Sequence, residues 1–244
     1  MANTDVLVAH QPAYLPWSGY FSRLLDVREL VVLDHVQFSE RGWQHRNFVR
    51  GHRDPVRLTV PIRRRFGQPL HEVRLADAEP WAQRHWRTLV ETYRRAPHWA
   101  AYADQLEAVY RRAWGHLVPL DLALTELLLR GFGLEVSLVC SSSHRPAGAN
   151  TQMLVELCRR RGASTLRVGT GAIHYLDTGI LQRNGIDVEV ASYAHPPYGD
   201  PTPRWAPGLS ALDLLLYEGP NARAVLERGA RTAVWEPARK AVSA

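Results

Sequence analysis

Residues 136–191 read VSLVCSSSHRPAGANTQMLVELCRRRGASTLRVGTGAIHYLDTGILQRNGIDVEVA. Three apolar runs of strand length stand in this stretch, at 136–140, 165–168 and 187–191. Two stretches of helical length separate them, Asn150–Arg161 and 176–184. The first helix ends on Arg159, Arg160 and Arg161 followed by Gly162, which is ordinary C-terminal capping and carries no functional weight. Strand, helix, strand, helix, strand is the pattern of a parallel sheet with crossover helices.

The rest of the chain extends that pattern. Residues 6–9 (VLVA) form a short strand ending at His10, and the two prolines of QPAYLPWSGY force a loop. Tyr20, Leu24 and Val27 then keep helical spacing, and 29–34 (ELVVLD) is a second strand. Residues 56–62 (VRLTVPI) alternate as one strand before a charged turn at 63–66. From Pro80 to about Gly131 the apolar residues recur at helical spacing, as in Trp81, His85, Leu89 and Tyr93. A last helix at 210–217 is N-capped by Ser210, with Asp213 at N3, and a short helix at 222–228 precedes a tail expected to be poorly ordered. The predicted fold is α/β, a mostly parallel Rossmann-like sheet with a helical insertion in the middle of the chain. Its expected parts are 1–79 and 134–219 for the α/β domain, 80–133 for the helical segment and 220–244 for the terminal helix and tail.

Composition narrows the class of protein. A chain of 244 residues, 45% hydrophobic with eight tryptophans, excludes disorder as the main state. Cys140 and Cys158 lie in separate elements without a Cys-x-x-Cys, which argues against a disulfide framework or a zinc knuckle. No metal or cofactor is expected. The richest apolar stretch, 120–129, is broken by Asp121, Thr125 and Glu126, and the N-terminus lacks the basic and apolar regions of a signal peptide. The expectation is a cytoplasmic protein without a membrane segment. The net charge of +6 is almost all arginine, with Lys240 the single lysine, and suits an anionic partner without specifying one.

Polar clusters follow the apolar runs. His10 and Gln11 end the first strand, with Tyr14, Trp17 and Tyr20 close behind. In an open α/β sheet ligands gather at the carboxyl ends of strands, where an imidazole can act as general base or bind phosphate. The plainer alternative is a histidine that hydrogen-bonds its loop, above aromatics that are core. Asp34, Gln37, Arg46 and Asn47 follow the second strand; the arginine offers a fork for an oxyanion, unless the segment is simply a polar hairpin. Ser141 and Ser142 follow the 136–140 strand with no G-x-S-x-G elbow. Gly169 and Gly171, then His174 and Tyr175, follow the 165–168 strand; they suit a close backbone approach to a phosphate but lack the spacing of a dinucleotide or P-loop motif. His195 and Tyr198 stand in HPPY after the last strand.

The runs HQPAYLPWSGYFSRL, VVLDHVQFSERGWQHRN, LTVP, GTGAIHYLD, HPPY and GLSALDLLL occur in this order from about Val6 to Gly219. In this the chain resembles the WbqC-like family, whose members are named from bacterial O-antigen clusters. The resemblance implies glycyl or other aminoacyl transfer to a sugar amine. The family's polar motif positions fall on His10, Gln11, Tyr14, Trp17, Asp34, Gln37, Arg46, Asn47, Gly169, Gly171, Tyr175, His195, Tyr198, Ser210 and Asp213. Two departures are Val168, where a serine is usual, and Asp200, where a glutamine is usual.

The expected activity is therefore that of a transferase forming an amide on an amine-bearing small molecule, an amino sugar or a natural-product intermediate, with aminoacyl-tRNA as a donor that would give the arginines a purpose. His10, His195 and Asp34 are the expected catalytic residues; Gln11, Tyr14, Trp17, Gln37, Arg46, Asn47, Ser141, Ser142, Gly169, Gly171, His174, Tyr175 and Tyr198 are expected to bind substrate. The opening segment is also similar to the HxGH region of nucleotidyltransferases and class I synthetases, with Tyr20 where the second histidine would stand. An ATP-dependent nucleotidyltransferase or ligase is thus one alternative, and a non-catalytic binding protein for a pathway intermediate is the other.

Overall fold

In the computed structural model, which describes residues 5–76, 80–199 and 206–235, the chain begins with β1 (Val6–His10), a short α1 (Ser18–Ser22) and β2 (Glu29–Val32). A hairpin of β3 (Arg46–Val49) and β4 (Val56–Thr59) follows, then the two-residue strands β5 (Ile62–Arg63) and β6 (Arg74–Leu75). The insertion is completed by α2 (Trp81–Tyr93), α3 (Trp99–Arg111) and α4 (Leu117–Gly131). The chain then runs through β7 (Ser137–Cys140), α5 (Asn150–Arg161), β8 (Thr165–Gly169), α6 (Thr178–Arg183) and β9 (Asp187–Tyr193). It closes with α7 (Ala211–Glu218), α8 (Ala222–Gly229) and β10 (Ala230–Val234).

Six strands form one sheet in the order β10-β9-β8-β1-β2-β7. All neighbours are parallel except the edge pair β9 and β10. The chain steps outward from β1 to β2 and β7, then returns to the other side of β1 to lay down β8 and β9. Strand order therefore reverses between β1 and β8, the switch point at which doubly wound sheets open a crevice at their carboxyl edge.

Period two explains why both faces are apolar. Val6 and Val8 of β1, with Leu30 and Val32 of β2, join the core shared with α1, α4, α7 and α8. Leu7, Val31, Leu166 and Val168 point the other way, into a second core under α5 and α6. A strand covered on both faces needs an unbroken apolar run, as VLVA and LVV are. Val168, one of the two departures from the family pattern, thus serves the core, while Asp200 lies outside the described residues.

Some boundaries differ from expectation. The 56–62 strand is two strands in different small sheets, because Pro61 can donate no ladder hydrogen bond. The first helix stops at Ser22 and continues as turns. β10 was expected to be tail; it pairs along its whole length with β9, and residues 236–244 lie outside the described residues. Gly162 caps α5 in the left-handed conformation, and Ser210 accepts a hydrogen bond from Leu212 N as the N-cap of α7, both as read from sequence.

Candidate functional site

The parallel strands end side by side, His10 opposite Val32, Val32 opposite Cys140, and Gly169 opposite Ala191. His10, Asp34, Ser141, Gly169 and His195 therefore follow strand ends along one edge of the sheet. They fall into two groups, one over β1, β8 and β9 and the other over β2 and β7.

In the first group, His10 packs edge-on against the buried Tyr20 ring, centroids 5.0 Å apart. Its Nδ1 lies 2.7 Å from the Gln11 carbonyl, which can only accept, so Nδ1 carries the proton and Nε2 holds a lone pair. Burial, then the positive charge of Arg23, push the His10 pKa down to about 4, so the ring is neutral at pH 7. His195 has the opposite tautomer: its Nδ1 accepts from Gly208 N at 3.3 Å, leaving Nε2–H as a donor. His195 is stacked on Trp17 at 5.1 Å and held in a left-handed backbone conformation with φ of 50°, unusual for a residue with a side chain. Burial lowers its pKa as well.

Arg23, which sequence reading missed, completes this group. It is 8% exposed, and its Nε donates to Gly19 O at 3.2 Å. A Cβ built on Gly169 would stand 3.0 Å from its Nη2, so the guanidinium lies against the end of β8. The available signal was a lone arginine in the apolar segment YFSRLL, three residues after Tyr20. By contrast, a Cβ on Gly171 meets nothing within 4 Å. Only the first of the two glycines permits a close approach.

The second group surrounds Asp34, which is 2% exposed. Its carboxylate accepts from Ser141 Oγ at 3.1 Å, Ser142 N at 2.8 Å and Ser142 Oγ at 2.6 Å. His35 reaches Ser141 Oγ with Nδ1 at 2.5 Å and Met153 Sδ with Nε2 at 3.0 Å. The serine stands between the acid and the histidine, whereas in a nucleophilic triad the histidine stands between the other two. Asp34 is a buried acceptor tying β2 to β7, its carboxylate satisfied by three donors from the Ser141–Ser142 turn. Gln11 bridges toward the insertion, its Oε1 taking a 2.5 Å hydrogen bond from Gln44.

Several expected substrate contacts have partners within the protein. Tyr14 is fully buried, its hydroxyl bonded to His85 Nδ1 at 2.8 Å and Tyr110 at 2.6 Å, so it joins the loop to the helical insertion. Asn47 spends its amide on the backbone: Nδ2 donates to Tyr14 O and Leu15 O at 3.2 and 2.6 Å, and Oδ1 accepts from Phe48 N. Leu15 has a φ of 44°, and Asn47 secures that strained loop. Tyr198 donates to Asp213, which is fully buried and forms a two-pronged pair with Arg50 at 2.9 Å. Arg46 donates Nε to Gly42 O at 3.2 Å from the β3–β4 hairpin. Gln37, His174 and Tyr175 are exposed, Tyr175 at 85%.

Both cysteines are free, and burial raises the Cys140 thiol to about 11, which leaves little thiolate at neutral pH. Among the described residues, no cluster of three metal-binding side chains occurs and no helix is long and apolar enough to cross a membrane.

The fold and its edge residues together define an α/β protein of the doubly wound class with its candidate site at the switch point. The sequence matches the WbqC-like protein family over residues 11–225, and the chain belongs to that family. A relative in Mycobacterium tuberculosis, described as the uncharacterized protein Rv1507c, is 30% identical over 218 residues, covering 87% of this chain and 93% of its own length. No solved structure matches the chain.

Proposed function

We propose that this protein is a biosynthetic transferase that forms an amide by passing an acyl or aminoacyl group, glycyl among them, to an amine on a small molecule. The observation that supports this reading is the pair of histidines of opposite tautomer at one sheet edge, His10 with a free Nε2 lone pair and His195 with an Nε2–H. In the transfer, the amine nitrogen bonds to the acyl carbon and the carbon–oxygen bond of the activated ester breaks. The amine proton passes to His10 Nε2, and the imidazolium so formed hands it to the leaving oxygen, while the His195 Nε2–H keeps its proton and hydrogen-bonds the oxygen on which negative charge develops. Trp17 holds His195 by stacking, and Asp34 fixes the neighbouring strand ends.

A second reading, an ATP-dependent nucleotidyltransferase, is favoured by the strand order around β1, an arrangement that commonly binds nucleotides. It is weakened by Tyr20, which is buried against His10 and offers no imidazole for a phosphate.

Thermal shift and calorimetry against ATP, nucleotide sugars, bulk tRNA and glycyl-tRNA at two salt concentrations separate the readings, because a ligand raises the midpoint only if the native state binds it. Tighter, salt-sensitive binding of charged over uncharged tRNA is expected. ATP binding without any response to tRNA would sink aminoacyl-tRNA as donor in favour of the second reading.

A further inference from the structure

We infer that the carboxyl ends of β1 and β8 carry an oxyanion site built around Arg23, which receives the carboxylate or phosphate group of the bound molecule. The inference deepens the transferase reading and rests on it only for the identity of the rest of that molecule.

Arg23 is more than nine-tenths buried, yet the one side-chain hydrogen bond it makes among the described residues, Nε to Gly19 O, goes to a neutral carbonyl. No carboxylate among the described residues pairs with it. Asp26 and Glu189 are both engaged by Arg167 of β8. The Asp121 carboxyl makes no hydrogen bond, and burial holds it well above the usual range. A guanidinium removed from water without an opposite charge is costly, and such a group is retained where a ligand supplies the missing charge.

The placement is constructed. Arg167 Nη1 donates to the Arg23 carbonyl at 3.1 Å, so the strand that ends at Gly169 also holds the backbone of Arg23. The Nη1 and Nη2 ends lie 3.3 and 3.0 Å from the position of a Cβ on Gly169, a residue with no side chain to cover them. The planar fork of arginine matches two oxygens of a carboxylate or phosphate. His10, on the other strand of the switch point, feels the Arg23 charge, which opposes its protonation. An oxyanion seated on Arg23 cancels that effect and raises the proton affinity of His10, so the substrate's own charge strengthens the base.

The test is calorimetry on the full chain with inorganic phosphate, pyrophosphate, acetate and glycine as probes, for wild type, Arg23→Met and Arg23→Lys. Wild type is expected to bind at least one probe, Arg23→Met to bind it at least ten-fold more weakly, and Arg23→Lys to recover part of the loss. Preference for pyrophosphate over acetate and glycine marks a phosphate ester as the source of the anion, and the reverse marks a carboxylate. Probe-free Arg23→Met is expected to melt no lower than wild type, because an apolar side chain of similar size replaces an unpaired buried charge. By NMR, the His10 imidazole titrates at higher pH when wild type is saturated with probe and does not move in Arg23→Met. No probe binding by wild type, or affinities in both variants within two-fold of wild type, would overturn the inference. Arg23-dependent binding without any acyl transfer leaves this site standing and removes the transferase reading; transfer with Arg23-independent binding does the opposite.

Discussion

His10 and His85 have pKa values lowered to about 4 by burial, from an ordinary value of 6.5. The folded chain fails to take up protons that the unfolded chain accepts, so stability falls as pH drops below about 6.5, and the loss is complete below about 4. For a shift of this size the loss is of order 3 kcal/mol per histidine. Urea midpoints measured from pH 7.5 to 4.5 should decline, and His85→Gln, which removes one of the two groups, should flatten the decline. At the proposed site, His10→Asn retains a donor near the Gln11 carbonyl but removes the Nε2 lone pair. It should lower the rate of transfer by about 10²–10⁴, with KM little changed. An unchanged rate in single-turnover kinetics would remove His10 as the base.

At the scale of elements, polar pairs join the hairpin and the Pro-rich loop to the helices. Arg50, just beyond β3, and Asp213, in the first turn of α7, are 5% and 0% exposed, and Arg50 also lies 4.2 Å over the Tyr217 ring. Breaking such a pair leaves a buried charge unmatched, so Asp213→Ala should cost about 3–5 kcal/mol. Chemical denaturation would show it as a fall in midpoint. Asn47→Ala frees the Tyr14 and Leu15 carbonyls and should cost about 1–3 kcal/mol. Because that loop leads into Trp17, the substitution should also loosen the stack on His195, seen as a change in Trp17 fluorescence. Neither role was legible in sequence, where Asn47 had the look of a substrate contact and Asp213 that of an N3 capping residue: a polar motif residue reads the same whether it meets ligand, side chain or backbone.

Across the whole molecule, β1, β2 and β8 lie inside the sheet with helices on both faces, whereas β10 is an edge and β3–β4 a separate two-stranded sheet. Native-state hydrogen exchange should find β1, β2 and β8 opening only with global unfolding, while β10 and the β3–β4 hairpin exchange by local opening at lower free energy. Uniform protection across all these strands would contradict this division. The parallel order was legible because strands covered on both faces must be continuously apolar and must alternate with crossover helices. β10 was missed because ARTAV is mostly exposed and carries no comparable pattern.

The sequence by itself determined the α/β class, the helical insertion and the placement of His10, Asp34, Ser141, Gly169 and His195 after successive strands, since each follows from local periodicity and turn chemistry. Tertiary structure alone decided which of them stand over neighbouring strands. It turned Tyr14 and Asn47 inward, gave Asp34 three donors, set opposite tautomers on the two histidines and left Arg23 without an opposite charge among the described residues. These outcomes depend on partners far away in the chain, such as Tyr110 for Tyr14, Ser141 and Ser142 for Asp34, and Gly169 for Arg23. Hydrogen bonding and desolvation are properties of surroundings, and surroundings exist only once the chain has folded.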